Sequence, residues 1–182
     1  MAKIKISSIA FLFIFISFCA FSQSNNVREN VKQTYLSQVG VREATGHNDG
    51  YAVEMYLKST GLGKGYAWCA AFVNWTLLQN GIQTVSSPAW APSWFTKNVI
   101  YCPAKNIYLE TPETSDIFGI WFKNKSPPRV AHVGFVYKWG NGNFVITVEG
   151  NTNEAGSREG DGVYMKRRIK RQIYIISDYI KP

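Results

Sequence analysis

After Pro127-Pro128 the hydropathy of the chain changes period, and that switch limits the folds open to it. Upstream, apolar residues recur at helical spacing: Val27, Val31, Tyr35 and Val39 stand four residues apart, and Val53, Met55, Tyr56 and Leu57 form a second patch. Downstream, strand-like stretches run over Arg129 to Trp139, Asn143 to Glu149, Gly162 to Lys166 and Gln172 to Ile176, divided by Gly-Asn clusters. Helices first and strands afterwards predict an α+β layer fold. With 46% hydrophobic and 15% aromatic residues, disorder, collagen and a pure coiled coil are excluded.

Gly46 to Gly50 separates the first two helical patches, and Asn48 or Asp49 is the natural cap of the second helix. A third helix is predicted over about Trp68 to Gln79, with Gly61, Gly63 and Gly65 before it, Asn80-Gly81 as its stop, and Phe72, Trp75 and Leu78 as its buried stripe. From Ile82 to Pro128 the chain reads as long loops with short strands or turns around Ile107 to Leu109 and Ile117 to Phe122. Loops of that length usually shape a site.

Lys3 and Lys5 precede an apolar stretch from Ile9 to Phe18, and Ala20-Phe21-Ser22 offers small residues for cleavage before Gln23. This predicts a secretory signal over residues 1–22 and one domain over 23–182, periplasmic or secreted. The apolar run is shorter than the ~20 residues of a spanning helix, so no stable membrane insertion is expected after cleavage. Export leaves Cys69 and Cys102, and two cysteines in an oxidising compartment suggest a disulfide.

The surroundings of those cysteines differ. Cys69 opens an apolar helix, where free N–H groups and the positive end of the helix dipole favour thiolate over thiol. His132 sits in Val130 to Val136, which alternates at strand period and puts His132 on one face with Val130, Gly134 and Val136. The turn at Trp139 to Asn143 sets which residue lies opposite: a Gly140-Asn141 loop pairs His132 with Glu149, and an Asn141-Gly142 loop pairs it with Asn151. Either would lie about 5 Å away at Cβ and could orient the imidazole, as in a nucleophile, base and orienter triad.

Gly65 to Val73, reading Gly-Tyr-Ala-Trp-Cys-Ala-Ala-Phe-Val, resembles the nucleophile motif of the CHAP family. These are cysteine, histidine-dependent amidohydrolases/peptidases of papain-like fold that commonly cut peptidoglycan. Arg129 to Val136 is similar to the family's histidine strand, and Val148 to Asn153 to its third motif. The resemblance covers roughly Asn48 to Ile176. It implies N-terminal helices packed on a C-terminal antiparallel sheet, with Cys69 as nucleophile, His132 as general base and then acid, Glu149 as the histidine's partner and Asn151 as an auxiliary polar group. The reaction it implies is amide hydrolysis through a Cys69 thioester, with peptidoglycan as substrate. Some phage-type members carry an acidic calcium loop before the cysteine; Lys58 to Trp68 holds no Asp or Glu, so no metal or other cofactor is expected. A sister superfamily with a Cys-His-His site fits less well, because His47 precedes Cys69 and Glu149 takes the third position.

Lys166, Arg167, Arg168, Lys170 and Arg171 concentrate positive charge in a chain of net charge +8. The run either protects a solvated strand edge or attracts anionic envelope polymers. Export and the lack of a recognisable module argue against nucleic acid. Trp68, Trp94 and Trp121 are candidate substrate-binding residues, and Trp90 and Phe95 stand beside them, with core packing the competing role for each. The chain is expected to act as a monomer. The rival reading is a noncatalytic secreted binding protein in which Cys69 and Cys102 form a disulfide; in a third, Cys102 masks Cys69 until reduced.

Overall fold

A computed structural model describes residue 23 and residues 26–154 and 160–181; the signal expected over 1–22 lies outside them. Helix α1 covers 26–36 and buries Val31 and Tyr35 one turn apart. It ends before Val39, which is exposed in the following turn rather than continuing the stripe.

Helix α2 is Tyr51–Lys58, burying Val53, Tyr56 and Leu57. Its N-cap is Gly50, not Asn48 or Asp49. The Asp49 carboxylate is already taken by the N–H (2.9 Å) and hydroxyl (2.6 Å) of Thr45, and Glu54 instead reaches back to accept from the Gly50 N–H. Helix α3, Cys69–Gln79, is the central one: Cys69 to Asn74, Thr76 and Leu77 are all buried. Leu78 is exposed and Trp75 half-buried, so the expected stripe of Phe72, Trp75 and Leu78 is replaced by burial nearly all round.

The strands are β1 (Val99–Cys102), β2 (Ile107–Tyr108), β3 (Ile117–Phe122), β4 (Arg129–Lys138), β5 (Phe144–Thr152), β6 (Gly162–Ile169) and β7 (Ile175–Ser177). They form one seven-stranded sheet in the order β2-β1-β7-β3-β4-β5-β6, every pair antiparallel. The fold is therefore α+β, with the helices N-terminal to the sheet. β1 falls in a stretch expected to be loop; it is held by pairing on both sides, against β2 and β7.

Neighbouring residues in the central strands face opposite ways. Ile117, Phe135 and Ile175 join the large core with the helices, where the rings of Tyr35 and Phe135 stack at 4.9 Å. Phe118, Val136 and Ile176 join a second cluster with Ile100, Val145 and Ile173. No described helix is long and apolar enough to cross a membrane.

Candidate active site

The start of α3 is fixed by the residue before it. The Trp68 ring is fully buried, 5.7 Å from that of Tyr56. Its Nε1–H donates to Glu43 Oε1 at 2.8 Å, and its backbone N–H donates to Asn151 Oδ1 at 3.3 Å. The Trp68 carbonyl accepts from the Phe72 N–H at 2.8 Å, which starts the helix at Cys69. The N–H groups of a helix's first turn have no intrahelical acceptor, so that of Ala70 helps to favour a charged Cys69 sulfur beside it.

The sheet opens where this helix start arrives. The ladder between β4 and β5 runs from Lys138 and Ile146 to Phe135 and Val148 and stops, while β5 continues beside β6 through Glu149. Trp68 and Phe72 pack into the opening against Gly150, where a Cβ would come within 2.7 Å of the Trp68 ring and 2.9 Å of Phe72. Past the last rung, the Val133 N–H comes near enough to the Cys69 sulfur to favour its charged form.

A bulge aims the histidine. Ile120 pairs with His132 but Trp121 with Val130, so Ala131 is an extra residue in β4. Val130 is thereby rotated into the helix-side core and does not share the face of His132, Gly134 and Val136 as the bare alternation predicts.

His132 Nε2 lies 2.8 Å from Glu149 Oε2, and Cys69 lies close enough to the ring for each group to favour the charged form of the other. The pairs Phe135 with Val148 and Val136 with Thr147 extend to the register in which Asn151, not Glu149, stands opposite His132. Neither expected two-residue turn forms; residues 139–143 all lie in the connection, and the register shifts between Val136 and Lys138. Asn151 is nevertheless turned away. Its backbone is left-handed (φ 54°) where the β5–β6 register shifts, and its amide bonds the Trp68 N–H, the Asn48 side chain (3.0 Å) and the Gly160 carbonyl (3.2 Å).

Glu149 is completely buried, so its charge needs partners. Arg168 supplies a two-pronged one, Nε to Oε1 and Nη2 to Oε2, the latter at 2.5 Å, and the Thr147 hydroxyl donates to Oε1 at 2.5 Å. Burial pushes the Glu149 carboxyl upward, and the hydrogen bonds and charges of Arg168 and His132 outweigh it, holding it well below the usual carboxylate range. Burial disfavours the His132 imidazolium, yet Cys69 and Glu149 on either side raise it to about 9. Burial likewise opposes a Cys69 thiolate, but His132 and the N–H groups of Val133 and Ala70 bring the thiol below its ordinary value. Each of the two groups thus favours the charged form of the other.

The other sequence candidates lie elsewhere. Cys69 and Cys102 are both free thiols, so the disulfide of the noncatalytic alternative is not formed; Cys102 is buried in β1. Trp68 and Trp94 are fully buried, the latter edge-on to Tyr179, and neither offers a face to a ligand. Trp121 is 38% exposed. His47 is exposed on a cavity of about 500 Å³ shared with Asn48 and Asn151. Among the described residues, no group of three or more His, Cys, Asp or Glu is placed to hold a metal ion.

Arg168 and Thr147 escaped the sequence reading. The available signal was the strand period itself, which puts Arg168 and Lys166 on one face of β6 and Arg167 on the other. The basic run is accordingly divided: Arg168 holds Glu149, Lys166 reaches the Asn153 carbonyl, and Arg167 lies over the Phe144 ring at 3.4 Å.

Compared with known families, residues 61–151 match the CHAP domain, which is half of the chain and contains Cys69, His132, Glu149 and Asn151. No curated protein and no solved structure matches the chain significantly.

Proposed function

The chain belongs to the CHAP domain family, whose members are generally cysteine- and histidine-dependent amidohydrolases or peptidases acting on peptidoglycan, and we propose that it is an exported peptidoglycan hydrolase cutting an amide bond through a Cys69 thioester. The observation that carries the reading is the contact chain of Cys69, His132 and Glu149 at the start of a buried helix. Residues 1–22 act as the export signal and 23–182 as one catalytic domain, working as a monomer in the periplasm or outside the cell.

The Cys69 thiolate attacks the amide carbonyl carbon, and the oxyanion that forms is met by backbone N–H groups at the helix start, including that of Cys69. The C–N bond breaks as the His132 imidazolium gives its proton to the leaving nitrogen. Water then adds to the thioester, His132 takes a proton from it, and the C–S bond breaks to release the carboxylate and restore the cysteine. Glu149 keeps His132 oriented and offsets its positive charge. Asn151 acts at one remove, by fixing the Trp68 backbone and through it Cys69.

The test is mass spectrometry of purified peptidoglycan treated with residues 23–182, beside a Cys69→Ala control. New amine and carboxyl ends that require Cys69 are expected and will identify the bond. Intact peptidoglycan after treatment with folded protein would refute the reading.

A further inference from the structure

A second cavity, of about 790 Å³, is bounded by β3, the end of β6 and the connection from β6 to β7. Two kinds of group line it. Trp121 and Tyr174 place their rings 4.8 Å apart at a 34° tilt, with Trp121 left 38% exposed. Around them stand Lys123, Lys170, Arg171 and the flank of Arg168, and no Asp or Glu is among the described residues of the wall. The cavity backs onto the candidate site, because Ile120 in its wall pairs with His132 and Arg168 holds Glu149.

The exposed Trp121 ring beside the half-buried Tyr174, next to the exposed cations Lys123 and Arg171, makes a poor resting surface and a good binding one. The rings offer apolar faces to the C–H side of a sugar, and the cations offer charge-assisted hydrogen bonds to carboxylates. We propose that this cavity is a subsite for an anionic sugar-peptide segment of the cell-wall polymer, a sugar ring lying on Trp121 and Tyr174 and a peptide carboxylate meeting Lys123 and Arg171. This rests on the peptidoglycan reading above. A glycerol phosphate polymer would satisfy the cations but has no ring for Trp121, which is why the sugar-peptide is the ligand assigned.

The test is calorimetric titration of the Cys69→Ala protein, which binds without turnover, with three soluble probes. These are a disaccharide-tetrapeptide with free carboxylates, the same fragment with its carboxylates converted to carboxamides, and poly(glycerol phosphate). Trp121→Ala and Arg171→Gln are each expected to weaken the first probe about tenfold, roughly 1.4 kcal/mol, and Trp121→Phe to retain most of the affinity. The carboxamide fragment should bind Arg171→Gln and its parent equally. Unchanged affinity for the first probe in both variants would overturn the subsite, as would tighter binding of poly(glycerol phosphate) that Trp121→Ala leaves untouched. Turnover of whole peptidoglycan by the unsubstituted protein separates the two readings. Binding with this pattern and no turnover removes the hydrolase and keeps the subsite, whereas turnover without the pattern removes the subsite alone.

Discussion

Glu149 reaches His132 along a diagonal of the β4–β5 pair: extending the rung of Phe135 and Val148 by one residue puts Gly134, not His132, opposite the carboxylate that lies 2.8 Å from Nε2. The diagonal is open because Gly134 has no side chain. A Cβ there would sit 3.1 Å from Glu149 Cγ, 3.0 Å from the Phe118 ring and 2.8 Å from the Val148 carbonyl oxygen. The carbonyl belongs to a paired strand and cannot swing aside. Gly134→Ala is therefore expected to destabilise the fold by about 1–3 kcal/mol and to lower turnover further than the loss of folded protein explains. Thermal denaturation paired with kcat well below the transition checks it; normal kcat would show that the diagonal needs no such clearance.

The His132 imidazolium is held up to about 9 by Cys69 and Glu149 against burial. Activity should then persist through neutral pH and fall as pH rises through about 9, where the proton needed for the leaving nitrogen is lost. Glu149→Gln removes one of the two charges favouring the imidazolium, so the alkaline limb must move toward neutral pH, by about one unit or more. A fall in kcat of about 10² to 10⁴ accompanies it, the scale seen when a triad's orienting carboxylate is neutralised. An unmoved alkaline limb in the pH profile of kcat would mean that Glu149 does not set the charge of His132.

The two cysteines should separate under alkylation. Cys69 titrates below the ordinary thiol range because His132 and two N–H groups outweigh its burial, whereas Cys102 has no exposed surface. Iodoacetamide at neutral pH, below the free-thiol value near 8.5, should label Cys69 in the native protein faster than it labels a free thiol such as glutathione, and reach Cys102 only after denaturation. Peptide mapping reads both sites at once. Equal labelling of the two would contradict the thiolate.

What was legible in the sequence was whatever depends on local period. Cys69 at a helix start, His132 on a strand and the α+β order all follow from spacing, and α3 begins within a residue of its expected place. The errors arise where a tertiary contact overrides the local rule. Asp49 is diverted to Thr45, so Gly50 caps α2; the bulge at Ala131 rotates Val130 into the core; and the wide 139–143 connection replaces a two-residue turn. Turn arithmetic would have assigned Asn151 to His132 in the register found, because it assumes that rungs decide contacts. Side chains longer than the rung spacing decide instead: Glu149 crosses to His132, and Arg168, opposite Val145, reaches back to Glu149.

Arg28 ties the N-terminal helix to one end of the neighbouring central strands β3 and β7, where Asp116 precedes the first and Asp178 follows the second. Its guanidinium bonds Asp116 at 2.7 Å, the Thr114 carbonyl at 2.9 Å and the carboxylate of Asp178, and all three charged groups are buried. Arg28→Met would leave two buried carboxylates facing each other without a cation, at a cost of about 3–5 kcal/mol. Urea denaturation should register that loss. Its midpoint in the triple variant with Asp116→Asn and Asp178→Asn should recover part of it, since the orphaned charges are then gone; a cost that persists would assign the loss to packing.

Arg168 is the group that lets Glu149 remain charged without solvent, and its removal should show in pH dependence as well as in stability. The folded-state pKa of Glu149 is depressed, chiefly by hydrogen bonding to Arg168 and His132 against its burial. Its contribution to stability is therefore present above the unfolded carboxylate value, about 4.3, and is lost as pH falls through the lower folded value. Arg168→Met leaves burial opposed only by His132 and the Thr147 hydroxyl, so the folded value rises and the loss sets in at higher pH than in the unsubstituted protein. The expected cost near pH 7 is about 3–5 kcal/mol, the penalty of breaking one side of a buried pair. In a Glu149→Gln background the same substitution removes no counter-charge, and its cost should shrink to about 1 kcal/mol or less. Denaturation curves at several pH values for the four proteins of this cycle measure both effects. If the two costs simply add, Arg168 supports the strand by packing and the charge link to Glu149 is without consequence; if they couple as expected, the acid limb of turnover should rise in Arg168→Met and return most of the way in Arg168→Lys.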